Sequence, residues 1–482
     1  MINNITIVWV ALPFFLGFTI YLIPKLDRPL AFLGAVATFV YGLQLFAQKS
    51  PVTLQLMDNF GVTLMIDQLS GFFILTNALV TAAVILYCWR SDKSPFFYTQ
   101  TIILHGSLNA AFACTDFISL YVALEVSGIA SFLLIAYPRS DRSIWVGLRY
   151  LCVSNIAMLF YLMGAIQVYQ GSHSFSFIGL GNAPPSAIAL IFVGLFVKGG
   201  VFISGWWLPL THSESETPVS ALLSGVVVKA GVYPLLRCAL IVGEVDPIIR
   251  IFGVGTALLG VSYAIFENDT KRTLALSTIS QLGWVLAAPE QGGYYALAHG
   301  LAKSAMFLTA GNLPSRSFKE LQQTKISTPM WIVLVIASFS ISGFPLLSGF
   351  GAKTLTMNNL LPWQVIPMNI AIVGTAIVYA KFIFLPQGQG KVNKPQFGFW
   401  AASVLLVGWL IAANTFYLPA YTLDNIIKAI AKIGLGWLLY WLIFKRVVLK
   451  LPRVLEEFEH LVGVMSVMLT LLFWMAFSWL DT

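Results

Sequence analysis

Sixteen apolar runs recur along the chain, at roughly 5–23, 30–46, 69–88, 98–115, 117–137, 145–169, 187–209, 218–242, 251–266, 273–288, 293–313, 330–355, 366–386, 399–416, 426–444 and 461–480. About 20 apolar residues in a helix cross a hydrocarbon core of about 30 Å. The pattern therefore predicts an all-α polytopic membrane protein with about 14–16 transmembrane helices. The ninth and tenth runs are short and flank the polar stretch Glu267–Arg272.

Composition agrees. Of 482 residues, 58% are hydrophobic and only 10% charged, against about 25% charged in a typical soluble chain. Loop charge tests the helix count. Loops after odd-numbered runs hold seventeen Lys and Arg, and those after even-numbered runs hold three. A missed or extra helix mid-chain would scramble that alternation. Positive loops mark the cytoplasmic side, so Lys93, Arg142, Lys325 and Arg446 are expected inside, Lys49 and Asp246 outside, and both termini outside. Met1–Thr6 carries no Lys or Arg, and Lys25 and Arg28 follow the first run. That order predicts a first transmembrane helix rather than a cleavable signal. The net charge of +8 then reflects cytoplasmic loops, and no nucleic acid is expected. Cys88, Cys114, Cys152 and Cys238 each stand alone. With no C-x-x-C, no P-loop and no G-x-G-x-x-G after a strand, neither metal, cofactor nor nucleotide is expected, and no redox or hydrolytic site.

The informative residues are the few charges inside the apolar runs, since each costs at least about 2.5–3.5 kcal/mol at mid-membrane. Glu125, Lys198 and Lys229 lie near the middle of their runs, and Arg149 near the cytoplasmic start of its own. His299, Lys303, Lys353 and Lys381 follow later. Glu125, Arg149, Lys198 and Lys229 are separated by 24, 49 and 31 residues; Gln281, Lys303, Lys353 and Lys381 by 22, 50 and 28. The constellation is thus written twice, offset by about 155 residues. Five runs separate the copies, so the second is expected to be inverted in the membrane, an architecture of ion-coupled transporters. Helix breakers accompany the third member of each copy: Gly199, Gly200, Gly205 and Pro209 near Lys198, and Gly343, Pro345, Gly349 and Gly351 before Lys353. Two broken helices are expected, and exposed backbone at membrane depth requires protein or a wet cavity beside it. Bland readings stand beside these. Arg149 and Lys381 lie near helix ends, where a long cation also snorkels to water. His299 also suits a neutral histidine bonded to a carbonyl. Glu125 and Lys198 also suit a structural ion pair. His105 and His173 are assigned no role.

The stretch LFVKGGVFISGWWLPLTHSESETPVSALLSGVVVKAGVYPLLR at 195–237, with DTKRTLALSTISQLGW at 269–284, HGLAKSAMFLTAG at 299–311 and SGFPLLSGFGAK at 342–353, closely resembles the antiporter-like subunits shared by complex I, membrane-bound hydrogenases and Mrp sodium/proton antiporters. The resemblance covers about residues 60–385. It implies a hydrated polar axis at mid-membrane with two half-channels. It matches Glu125 to the fifth-helix glutamate, Lys198 to the lysine of the broken seventh helix and Lys229 to the eighth-helix lysine. His299 and Lys303 match the eleventh-helix pair, and Lys353 the ionisable residue of the broken twelfth helix. Arg149, His212, Gln281 and Lys381 are supporting candidates. Gln281 stands where histidine is frequent, Pro209–Leu210 where proline–aspartate is common, and Lys353 where complex I subunits of the M or D class usually have glutamate. Lysine there favours the Mrp D type or the hydrogenase-like branch. The resemblance assigns nothing to the last two runs or to KRVVLKLPRVLEEFEH between them.

The expected organisation is residues 1–97 as three N-terminal helices, 98–242 as a first five-helix repeat, 243–386 as its inverted copy, and 387–482 as C-terminal helices. The expected function is a proton- and cation-translocating subunit of an Mrp-like cation/proton antiporter, with H+ and Na+ as candidate ions and other membrane subunits as partners. A proton-pumping subunit of a complex I-like oxidoreductase or membrane-bound hydrogenase is the second reading, and a proton-silent scaffold the third.

Overall fold

The computed structural model describes residues 2–48, 50–57, 60–388, 397–447 and 449–480. Lys49, Lys391 and Lys394, which enter the loop-charge count, lie outside the described residues. The chain opens with α1 (Ile2–Leu22) and α2 (Asp27–Ala47), followed by a hairpin of β1 (Val52–Met57) and β2 (Gly61–Ile66). The apolar-run pattern does not mark this hairpin, because its strands have only 6 residues each. Val52 pairs with Ile66 and Leu54 with Leu64, and all four side chains are buried. Asp116 pins the hairpin to the bundle, accepting from Thr63 N at 2.8 Å while capping the next helix through Ser119 N at 2.7 Å.

The helices that follow are α3 (Gln68–Tyr87), α4 (Pro95–Ala111), α5 (Phe117–Ile135), α6 (Asp141–Ser172), α7 (Pro185–Gly199), α8 (Leu208–Glu214), α9 (Thr217–Leu222), α10 (Lys229–Ile241), α11 (Asp246–Phe266), α12 (Thr270–Ala287) and α13 (Gly292–Ala310). After a short α14 (Phe318–Leu321) come α15 (Thr328–Ser342), α16 (Ser348–Asn358), α17 (Pro362–Ile383), α18 (Phe397–Ala412), α19 (Leu423–Leu439) and α20 (Phe458–Leu480). The protein is an all-α polytopic membrane protein. Among the described residues, twelve helical segments are long and apolar enough to cross a bilayer. The remaining apolar runs fall on α4, α12, α13 and the pair α15–α16. α12 and α13 are buried on every side, so their polar residues meet protein rather than lipid. The outer helices instead present Phe15, Leu33, Val404 and Ile427 outward, where hydrocarbon is the solvent.

Both expected helix breaks are present. α7 ends on Gly200 (φ 64°) and α15 on Gly343 (φ 84°). A left-handed cap of this kind satisfies terminal carbonyls and is unstrained only for glycine. Beyond each cap lies a second positive-φ residue, Phe202 or Leu346, before the helix resumes as α8 or α16.

The C-terminal segment turns back on the bundle. α19 packs against α17, but α20 lies across α7 and the α7–α8 connection. Between α19 and α20, the Glu456 carboxylate pairs with Arg272 of α12, and the Glu456 carbonyl accepts from Arg149 of α6. Glu267 bridges Arg272 at 3.1 Å and Arg453 at 3.0 Å. Burial raises the Glu267 pKa, but the two guanidinium groups outweigh it and hold the carboxyl below its ordinary value.

Candidate functional site

Lys198 sits in the last turn of α7, where the helix dipole favours a cation. Its Nζ donates to Leu124 O of α5 at 3.0 Å, the carbonyl one residue before Glu125. Glu125 is half-buried, and its Oε1 has no hydrogen-bond partner. The two side chains form no direct ion pair, so the Glu–Lys pair suggested by the sequence is open here.

Lys229 depends on a backbone irregularity. Between α9 and α10 the chain makes one π turn, Leu223–Val227. Such turns release carbonyls from the regular ladder and are frequent at functional sites. Lys229 Nζ takes two of them, Ser224 O at 3.1 Å and Gly225 O at 2.5 Å. On α13, Lys303 Nζ donates to Leu274 O at 2.8 Å and Ser277 Oγ at 2.7 Å, both on α12. Ser277 Oγ also meets Tyr379 Oη at 2.5 Å, and the Tyr379 ring centroid lies 5.4 Å from the ammonium. His299, one turn before Lys303, has both ring nitrogens buried without a partner. Gln281 accepts from Tyr295 Oη at 2.6 Å and donates to Thr375 Oγ1 at 3.5 Å. A cavity of about 10 Å³ joins Gln281 and His299 to Ser340 and Ala352, which flank the second break. That is about the minimum volume for one water.

Lys353 follows on α16. Its Nζ has no hydrogen-bond partner and lies 5.3 Å from the Trp284 ring centroid. It lines a cavity of about 420 Å³ between α16, α17 and α19. Glycines make room for three of these lysines. A Cβ at Gly128 would stand 2.9 Å from Lys198 Nζ, one at Gly343 2.9 Å from Lys353 Cδ, and one at Gly300 3.5 Å from Lys229 Nζ. Relative exposures of Lys198, Lys229, His299, Lys303 and Lys353 are 7%, 0%, 2%, 0% and 6%. None is in an ion pair among the described residues; their partners are carbonyls, a hydroxyl and aromatic faces.

The supporting candidates separate. Gln281 lies beside His299 as described. His212 is buried against Trp207 and Phe307, the latter on the helix that carries Lys303. Arg149 instead holds the C-terminal segment through Glu456. Lys381 donates to Ala264 O at 2.9 Å and Glu267 O at 2.8 Å. It caps the C-terminal end of α11, and the sequence spacing that paired it with Lys229 does not give it the same surroundings. His105 bonds Thr81 Oγ1 at 3.1 Å and Thr38 Oγ1 at 2.8 Å within the N-terminal helices, away from the lysines.

Residues 114–378, more than half of the chain, match the family described as NADH:quinone oxidoreductase/Mrp antiporter, transmembrane. The chain belongs to this family. It is similar to the D-type subunit of the Na(+)/H(+) antiporter of Alkalihalophilus pseudofirmus, with 25% identity over 84% of this chain and 91% of that one. It is also similar to the N-type subunit of the NADH-quinone oxidoreductase of Desulforudis audaxviator, with 28% identity over 70% and 76%. Its fold is similar to a chain of an archaeal membrane-bound sulfane sulfur reductase, with a TM-score of 0.75, 21% identity, and 90% of this chain and 98% of that chain covered. A chain of the Mrp complex of a Dietzia species gives a TM-score of 0.72 at 23% identity, covering 97% and 56%. The protein is an antiporter-like membrane subunit.

For a member of this family, several site features escape a reading of charges alone. Ser277, Tyr379 and Tyr295 are ordinary helix residues in sequence, and the π turn has no local signature. Lys432 carries a usable signal: it lies in the interior of α19, four residues after Lys428, in an otherwise apolar run. An ionisable residue at that depth is a functional candidate by default.

Proposed function

We propose that this chain carries protons along a row formed by Lys198, Lys229, His299, Lys303 and Lys353, as a subunit of an Mrp-like cation/proton antiporter. One observation carries the reading. These bases are buried at membrane depth with no ion pair among the described residues, Glu125 near Lys198 being the one carboxylate at hand, and burial of an unpaired lysine is costly and serves no packing purpose. Lysines that only filled space would be better replaced by Leu or Met, which argues against a silent scaffold. Lone-pair partners around Lys198, Lys229 and Lys303, a cavity beside Lys353, and room for a water between Gln281 and the second break suit groups that gain and lose a proton. Glu125 serves as the switch at one end. When near Lys198 it holds the lysine charged, and its separation lets the proton go. The two glycine-capped breaks and the repeated spacing support an inverted pair of half-channels, with the positive loops cytoplasmic and both termini outside.

The extent of similarity to a D-type antiporter subunit, together with lysine at 353, favours the Mrp-like assembly, with Na+ moving in exchange and other membrane subunits as partners. The similarity to an NADH-quinone oxidoreductase subunit supports a second reading, the same row pumping protons inside a complex I-like enzyme. The test is proton flux in vesicles carrying the intact complex, at matched complex levels. Glu125→Ala, Lys198→Ala and Lys353→Arg are each expected to abolish it, since a guanidinium stays charged at any working pH and relays nothing. Full flux in Lys353→Arg would show that only charge is needed there and would sink the relay.

A further inference from the structure

We infer that the cavity beside Lys353 is a cation-rejecting vestibule: Lys432, with Lys428, lets protons reach Lys353 from one membrane surface while turning away sodium and other monovalent cations. The inference deepens the proton reading above and rests on it.

Three observations converge. The Lys353 ammonium is more than nine-tenths buried and has no hydrogen-bond partner, and the cavity of about 420 Å³ lies beside it. The same cavity is lined by Asn425, Lys428 and Lys432, which recur at helical spacing on one face of α19. Ile427, Ile430 and Leu435 of that helix face outward and are exposed. The amphipathic helix thus turns its charged face to the cavity and its apolar face to lipid, as a wet interior requires. Finally, the lining contains Lys353, Lys428 and Lys432 but no carboxylate. Asp424, outside the lining, pairs with Lys428 at 2.5 Å and offsets one of the three charges.

Sodium entering this space would meet uncompensated ammonium groups and find no carboxylate to replace its lost hydration. A proton need not enter as an extra cation. Lys353–NH3+ gives its proton to a cavity water, keeps the N–H electron pair as a neutral amine, and the proton leaves along the water. The transfer leaves the summed charge of Lys353 and the water unchanged, whereas a sodium ion entering beside Lys353, Lys428 and Lys432 would add one more. Lys432 therefore acts on selectivity, as a positioning charge rather than as a carrier.

The test uses the intact complex in vesicles with Asn369→Cys, a lining position on α17. Anionic and cationic methanethiosulfonate reagents are applied from each side, with the parent protein as background. Labelling is expected from one side only, with the anionic reagent at least tenfold faster. Lys432→Gln should lower that ratio at least threefold, Lys432→Arg should keep it, and Lys432→Glu should make proton flux sensitive to sodium from that side. No labelling from either side, or a ratio unchanged in both Lys432→Gln and Lys432→Glu, overturns the vestibule. Full proton flux in Lys353→Met, with the reagent ratio still lowered by Lys432→Gln, overturns the relay reading instead.

Discussion

Replacing Lys303 with methionine separates a relay from a structural role. The lysine donates to Leu274 O and Ser277 Oγ at 2.8 and 2.7 Å. Hydrogen bonds from a charged group contribute about 1.5–3 kcal/mol each. Against them stands the cost of keeping an ammonium from water, several kcal/mol per ion and at least about 2.5–3.5 kcal/mol on insertion scales. The terms offset to within about 2 kcal/mol. Neither acceptor is orphaned by the change. Leu274 O still accepts from Thr278 Oγ1 at 2.9 Å, and Ser277 Oγ keeps Tyr379 Oη at 2.5 Å. Methionine nearly conserves volume and adds no polar atom. Lys303→Met should therefore assemble normally, with a Tm within about 4 °C of the parent. Proton flux should fall by about a hundredfold or more, the effect of removing a group that gives and takes protons. Fluorescence-detected thermal shift on the purified complex reads the first quantity, and quenching of a pH dye in vesicles the second. A collapsed Tm with residual flux in proportion to folded protein would mean that Lys303 holds α13 to α12 and relays nothing.

Other consequences follow from specific contacts. Asp67→Asn removes the carboxylate that pairs with buried Arg237; although Tyr233 Oη and Ser70 Oγ remain at 2.8 and 2.9 Å, stability should drop by about 3 kcal/mol, and an unchanged thermal midpoint would show that the pair contributes nothing. The depressed Glu267 carboxyl contributes stability that is complete above the ordinary glutamate pKa and is lost as pH falls through its lower folded value. Hydrogen exchange at Arg453–Glu457 should accelerate only on strong acidification, and Glu267→Gln should show fast exchange already at neutral pH. Gly128→Ala pushes against the mobile end of Lys198, so flux should fall several-fold with little change in midpoint; a large loss of stability with normal specific flux contradicts this. Cysteines at 93, 142, 325 and 446 should react from one side of the membrane and one at 246 from the other, and opposite labelling of 142 and 446 would refute the helix count.

Sequence by itself determined the solvent, the helices and the identity of the buried bases. Lipid demands long apolar runs and taxes every charge within them, so Lys198, Lys229, Lys303 and Lys353 stand out without any coordinates. The glycines at 200 and 343 announced the two breaks for a similar reason, since left-handed caps penalise any side chain. Tertiary structure decided what each charge touches, because partners lie on helices distant in sequence and are mostly backbone carbonyls, which leave no mark in the pattern. Thus Lys381 and Arg149, equivalent to relay members by spacing, instead cap α11 and hold Glu456. The open geometry of Glu125 and Lys198, the π turn that receives Lys229, and the return of α20 onto α7 also depend on packing between distant segments. Lys432 lies between the two cases: its depth in α19 was legible, but only the cavity it shares with Lys353 shows which way it faces.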